Sequence, residues 1–183
     1  MVFELEREKL FKRHWAAAGF AHEIPEPGDA IPVETAGVPI ILVRGNDHVV
    51  RGFVNVCRHR ASTILQTPVT GRKSLICPFH SWTYELDGRL KAAPYWDGSL
   101  SGGQPDADAH ALVPVSCEVW ENLIFVNLDA STAPLKESLA PILARWQTYG
   151  LSKLTPVHTV EAVIPANWKI VIEGFLEPYH EQW

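Results

Sequence analysis

The chain has 183 residues, 46% of them hydrophobic and 20% charged, and a formal net charge of −5. That length and apolar share suit one full domain, or one and the start of another, around a sizeable core. The acidic balance gives no electrostatic footprint for nucleic acid or an anionic membrane, no stretch is long enough to span a bilayer, and the acids within MVFELEREKLFKRHW do not fit a secretory leader, so the expected setting is the cytoplasm.

Leu5, Leu10, Phe11, Trp15 and Ala18 recur at roughly helical spacing and predict an amphipathic helix over residues 4 to 18, which Pro25, Pro27 and Gly28 forbid from continuing. From residue 31 to 128 the pattern turns to short strands rich in Val and Ile, with turn pairs at Asn46-Asp47, Asp87-Gly88 and Glu121-Asn122. The expected fold is mainly β with flanking helices, built on a small antiparallel β domain. Cys117 alternates with Val113, Val115 and Val119 and reads as a small buried hydrophobe in one of its strands. After Asp129 a helix is expected, with Ser131 or Thr132 near its cap, Pro134 in its first turn and Gly150 at its end; Pro141 implies a kink or two shorter pieces. Residues 155 to 165 read as a further strand. These elements divide into a region over 1–150, with the amino-terminal helix and the β domain, and the start of a second domain over 151–183.

Two loops carry the chemistry. NVCRHRAS holds Cys57 and His59, and ICPFHSW holds Cys77 and His80, the two pairs separated by seventeen residues. RGFVNV leads into the first, GRKSLI into the second, and WTYELDGRL returns from it, so both loops are expected at hairpin tips. Two thiolates on one iron and two imidazoles on the other give the mixed ligation of a Rieske [2Fe–2S] cluster. A Cys2His2 zinc site uses the same donors, but zinc-finger spacing pairs like with like along the chain, whereas each loop here carries one of each. Two structural cysteines and two satisfied histidines are the bland alternative, and chance rarely sets four such residues at this spacing.

NVCRHRAS followed by CPFHSWTYELDGRL resembles the Rieske domain of the Rieske non-haem iron, or ring-hydroxylating, oxygenase large subunits. It lacks the extra cysteine in each loop that marks the Rieske proteins of respiratory complexes. The resemblance implies a [2Fe–2S] cluster held by Cys57, His59, Cys77 and His80, with a potential low in the Rieske range and electrons supplied by a ferredoxin or flavin reductase. Ser81 stands where the family usually has Gly, which permits a positive φ that Ser resists.

ANWKIVIEGFLEPYHEQW resembles the start of the same family's α+β catalytic domain, in which a 2-His-1-carboxylate triad holds a mononuclear Fe(II) with positions open for O2. By this resemblance His180 is the first iron ligand. Glu177 is the acid that joins the mononuclear site to a Rieske histidine of the neighbouring subunit in a homotrimer. Glu in a Phe-Leu-Glu-x-Tyr-His context is similar to the members acting on quaternary ammonium compounds such as choline, carnitine and betaines. Glu177 is expected to cap a helix with Pro178 at its first position. The second histidine and the carboxylate of the triad have no counterpart within these 183 residues. The reading is therefore the electron-transfer part of an oxygenase that hydroxylates or demethylates a small organic substrate, quaternary ammonium or aromatic. The alternative is a stand-alone Rieske-type ferredoxin.

Overall fold

The computed structural model describes residues 2–99, 102–158, 160 and 162–176. Contacts group into two units, Met1–Lys153 and Leu154–Trp183.

In the first unit the described strands are β1 (Ala16–Phe20), β2 (Ala30–Thr35), β3 (Val38–Arg44), β4 (Val50–Val54), β5 (Leu75–Ile76), β6 (Thr83–Tyr84), β7 (Leu90–Ala92), β8 (Pro114–Trp120) and β9 (Leu123–Asn127). They form an antiparallel six-stranded sheet in the order β1-β9-β8-β4-β3-β2 and a small sheet β5-β6-β7. β3 explains the arrangement. Its run Ile40-Ile41-Leu42-Val43 is fully buried residue by residue, which a strand achieves only when both faces are covered. Ile41 and Val43 look into a core shared with Phe53 and the two Cys/His loops. Ile40 and Leu42 look into a second core with Val50, Val115, Ile124 and Val126.

The three turn pairs expected from sequence lie in turns. At one of them Asp47 grips Arg51 through both carboxylate oxygens, at 2.6 and 2.7 Å. A fourth turn, Ala36–Gly37, closes β2 on β3 with φ of 52° and 77°; sequence gave no warning of it, because Ala is a poor marker for a left-handed position.

Four expectations are corrected. The amino-terminal helix is short: α1 (Val2–Glu6) passes into a π-turn over Arg7–Phe11 and stops. Residues 16–20 form β1 instead, because pairing with β9 (Ala16↔Val126, Phe20↔Leu123) overrides the helix propensity of three alanines. α2 (Leu135–Trp146) is one helix with Pro141 inside it, not two shorter pieces, and Pro134, not Ser131 or Thr132, sits at its N-cap. Its first N–H is satisfied from outside, by Glu118 of β8 at 3.0 Å, while Ser131 bonds Asp129 and Thr132 accepts from Asn127. Gly150 does stand past the helical region in the left-handed conformation, at φ 59°. Residues 155–165 form no strand among those described. Only the second Cys/His loop lies on a hairpin, that of β5 and β6; the first leaves β4 and has no returning strand of its own.

In the second unit α3 (Trp168–Leu176) is opened by Asn167, whose side chain accepts from the Lys169 N–H at 3.0 Å, the usual satisfaction of an orphan donor at a helix start. Glu177, Pro178, Tyr179 and His180 lie outside the described residues. No helix among the described residues is long and apolar enough to cross a membrane.

Candidate metal centre

The two loops are the same turn built twice. In the first, the Cys57 N–H donates to Ser62 O at 2.8 Å and the Ala61 N–H to Cys57 O at 3.0 Å; in the second, the Cys77 N–H donates to Trp82 O at 2.8 Å and the Ser81 N–H to Cys77 O at 3.0 Å. The residue four positions after each cysteine is left-handed: Ala61 at φ 56° and Ser81 at φ 58°. Ser81 adopts a positive φ although a residue with a Cβ resists it, at a cost of roughly 1 kcal/mol.

This repetition brings like donors together. His59 and His80 stand with ring centroids 4.9 Å apart, and the Cys57 and Cys77 thiols are close enough to interact directly. Both cysteines are 2% exposed, whereas His59 is exposed and His80 half-buried. The thiols therefore face the core and the imidazoles the surface. Along the chain the donors are mixed, and in space they are sorted. No three His, Cys, Asp or Glu side chains converge on a single point among the described residues; a two-iron cluster asks for two protein donors per iron, so pairs are the arrangement that fits.

Three further features suit the donors to a cluster. The Nδ1 atom of His80 is buried without a hydrogen-bond partner, as befits a nitrogen reserved for a metal. Burial pushes the Cys57 thiol above its ordinary value, an effect reduced by the Tyr84 hydroxyl and the His59 backbone N–H directed at its sulfur; a thiolate is stable there only beside a cation. Partial desolvation holds the His59 imidazole below its ordinary value, aided by His80 and Arg60, which favours the neutral ligating form.

Tyr84 is the residue sequence reasoning missed. It is fully buried, its hydroxyl lies 3.2 Å from Cys57 Sγ, and it accepts the Arg58 N–H at 3.0 Å. With that acceptor role filled, its proton is available to the sulfur. Burial, then the Cys57 contact, raises its ionisation far above the ordinary tyrosine value, so the donor stays protonated. Asn55 was missed as well. Its amide donates to Leu65 O at 2.6 Å and accepts from the Ile64 and Leu65 N–H groups at 3.0 and 2.9 Å, tying the exit of the first loop to β4. The signal was present in each case: an Asn inside the apolar run FVNV, and a Tyr where the second loop returns. Trp82, 2% exposed, stacks parallel on His59 at 4.9 Å and fixes that ring. The imidazoles open on a recess of about 350 Å3 walled by Trp82, Tyr95 and Trp96.

Residues 14–105 match the family described as Rieske [2Fe-2S] domain. The chain belongs to that family. The Rieske assignment carries the [2Fe–2S] cluster with it, and Cys57, His59, Cys77 and His80 fit the donor set; a bound cluster supplies a one-electron couple. Residues 151–183 match the ring hydroxylating alpha subunit (catalytic domain). Among relatives, the carnitine monooxygenase oxygenase subunit of Acinetobacter baumannii is 32% identical over 181 residues, covering 98% of this chain and 48% of its own length. The glycine betaine monooxygenase oxygenase subunit of Chromohalobacter salexigens is 36% identical over 179 residues, covering 98% and 39%. A solved quaternary ammonium Rieske monooxygenase bound to L-carnitine superposes with a TM-score of 0.87 at 30% identity, covering 98% of this chain and 51% of that one. Naphthalene 1,2-dioxygenase superposes with a TM-score of 0.68 at 29% identity over 75% of this chain. This Rieske chain spans about half the length of the quaternary-ammonium relatives it matches.

Proposed function

We propose that this chain is the electron-transfer part of a Rieske non-haem iron oxygenase large subunit. Electrons enter from a ferredoxin or flavin reductase and pass to a mononuclear Fe(II), where O2 is used to hydroxylate or demethylate a small organic substrate. The observation that carries the reading is the sorting of donors at the two loops, thiols inward and imidazoles outward. A cluster so held keeps its sulfur side in the core and presents its histidine side to whatever covers the aromatic recess.

The similarity to carnitine and glycine betaine monooxygenase subunits supports a quaternary ammonium substrate, with an aromatic one as the alternative. In this reading the Rieske region spans 1–150, the catalytic domain begins at 151, His180 is an iron ligand and Glu177 is the acid between the two metals. The assembly is a homotrimer in the cytoplasm in which one subunit's Rieske histidine faces the next subunit's iron; a relative at TM-score 0.88 is described in terms of inter-subunit electron transfer. The match of residues 151–183 to a catalytic domain weighs against a stand-alone carrier.

Anaerobically prepared chain is expected to be brown, to contain about two irons and two labile sulfides, and on reduction to give the low-average-g resonance of mixed His/Cys ligation. Cys57→Ser removes the colour and the resonance. Stoichiometric zinc without sulfide, in protein matured with ample iron, would end the reading.

A further inference from the structure

Between Asp47 and Glu85 the sequence contains no acid, yet it holds Arg51, Arg58, Arg60, Arg72 and Lys73 within a chain of net charge −5. Arg51 is paired with Asp47. Arg72 and Lys73 are exposed, and neither makes an ion pair or a side-chain hydrogen bond among the described residues. They line a groove of about 490 Å3 whose other walls are mainly apolar, Leu65, Val69, Leu75, Ile76 and Pro78 among them, with Gln66, Thr67 and Ser74 interspersed.

The groove is built rather than incidental. The backbone carrying its cations is fixed from beneath: buried Asp29 accepts the Gly71 N–H at 2.9 Å, and the Arg72 N–H donates to Gly28 O at 3.0 Å. Leu65 and Leu75 line the groove and also pack in the core that contains Cys57 and Cys77. Pro78 follows Cys77 directly. The groove therefore borders the core that holds the thiols, whereas the imidazoles open on the separate aromatic recess.

We infer that this groove is the docking surface for an acidic [2Fe–2S] ferredoxin or ferredoxin-like domain, so that electrons enter on the thiolate side and leave on the imidazole side. The inference rests on the proposed function, since it takes the cluster as present. Charge complementarity selects the occupant: an acidic protein is repelled by the chain as a whole and attracted where unpaired cations interrupt that charge, which raises the encounter rate. Arg58 and Arg60 are exposed cations too, Arg60 beside the aromatic recess; Arg72 and Lys73 differ in lining a groove with a largely apolar wall on a braced backbone. The apolar part of the lining beside the cations excludes water from the contact. In the transfer one electron leaves the donor's reduced cluster and enters this chain's oxidised one; no bond forms or breaks.

The test uses this chain with its cluster verified by iron, sulfide and spectrum, so that absence of the cluster counts against the proposed function and not against the groove. The probe is a plant-type ferredoxin. Binding of its oxidised form, in which no electron moves, is followed by titration, and reduction by its reduced form in stopped flow. Arg72→Glu with Lys73→Glu is expected to weaken binding and slow reduction about tenfold or more at low ionic strength, with the difference from wild type shrinking at high salt. Arg72→Gln with Lys73→Gln gives a smaller effect of the same sign. Reduction by a neutral photoreduced deazaflavin stays at the wild-type rate. In unaltered protein, carbodiimide coupling joins Lys73 to an acidic residue of the ferredoxin. The assignment is overturned if the charge-reversed chain matches wild type, if Arg58→Glu with Arg60→Glu carries the loss instead, if Lys73 is absent from the cross-links, or if duplex DNA binds the groove as tightly as ferredoxin.

Discussion

At the scale of single residues, Tyr84 acts on the cluster without ligating it. Its hydroxyl stands 3.2 Å from Cys57 Sγ with its acceptor side occupied by Arg58, so its proton stabilises negative charge on sulfur, and more so after reduction. Tyr84→Phe keeps the packing and removes the proton. The reduction potential is expected to fall by on the order of 40 mV, the one-electron equivalent of about 1 kcal/mol of differential hydrogen bonding, with iron and sulfide content unchanged. A redox titration followed by the reduced-state resonance checks this; an unchanged potential removes Tyr84 from the list of tuning groups. The four candidate donors were legible in sequence, because Cys-x-His and Cys-x-x-His are a chemical pattern. Tyr84 and Asn55 carried only the weak signal of a polar group in an apolar setting, since their partners, 27 and 10 residues away, are set by the fold and carry no spacing rule.

Elements were legible in proportion to how local their causes are. The β3 run and three of the turns follow from burial and from turn chemistry within a few residues. β1 failed that test: AAAGF is a strand only because β9 is there to pair with it. The expected strand over 155–165 shows the converse, an apolar pattern with no partner among the described residues. Gly28 belongs at this scale too. It is left-handed at φ 87°, and a Cβ there would strike the Arg72 backbone, so the crossing of two chain segments depends on its missing side chain. Gly28→Ala is expected to destabilise the protein by roughly 2 to 4 kcal/mol through strain and overpacking combined. Denaturant unfolding reads the loss, and hydrogen exchange at Gly71 should speed up more than exchange in β9. Equal effects at both sites would mean that the crossing is not a local anchor.

At the scale of the whole molecule, the sorting of thiols inward and imidazoles outward gives the cluster site a direction, and the proposed function gives Glu177 the role of the acid between the two metals. In the full-length protein Glu177→Gln keeps the shape of the side chain and removes its charge. Both metals are expected to remain bound while single-turnover electron transfer between them slows by about two orders of magnitude, a loss typical of a disrupted outer-shell partner. Metal content together with rapid-mixing kinetics decides the matter, and wild-type coupling in the variant would release Glu177 from that role. Sequence placed Glu177 and His180 by motif alone. Geometry for them lies outside the described residues.

β3 has a consequence for how the molecule comes apart. Four successive side chains alternate between the core that holds the thiols and the core beneath the large sheet, so neither core can loosen without disturbing the strand that forms one wall of the other. The two lobes are thereby welded into one melting unit, and no partly unfolded form in which the sheet survives while the cysteine pocket opens is cheap to reach. Fading of the brown chromophore on heating then tracks collapse of the entire Rieske fold, which makes colour a thermometer for the fold as a whole.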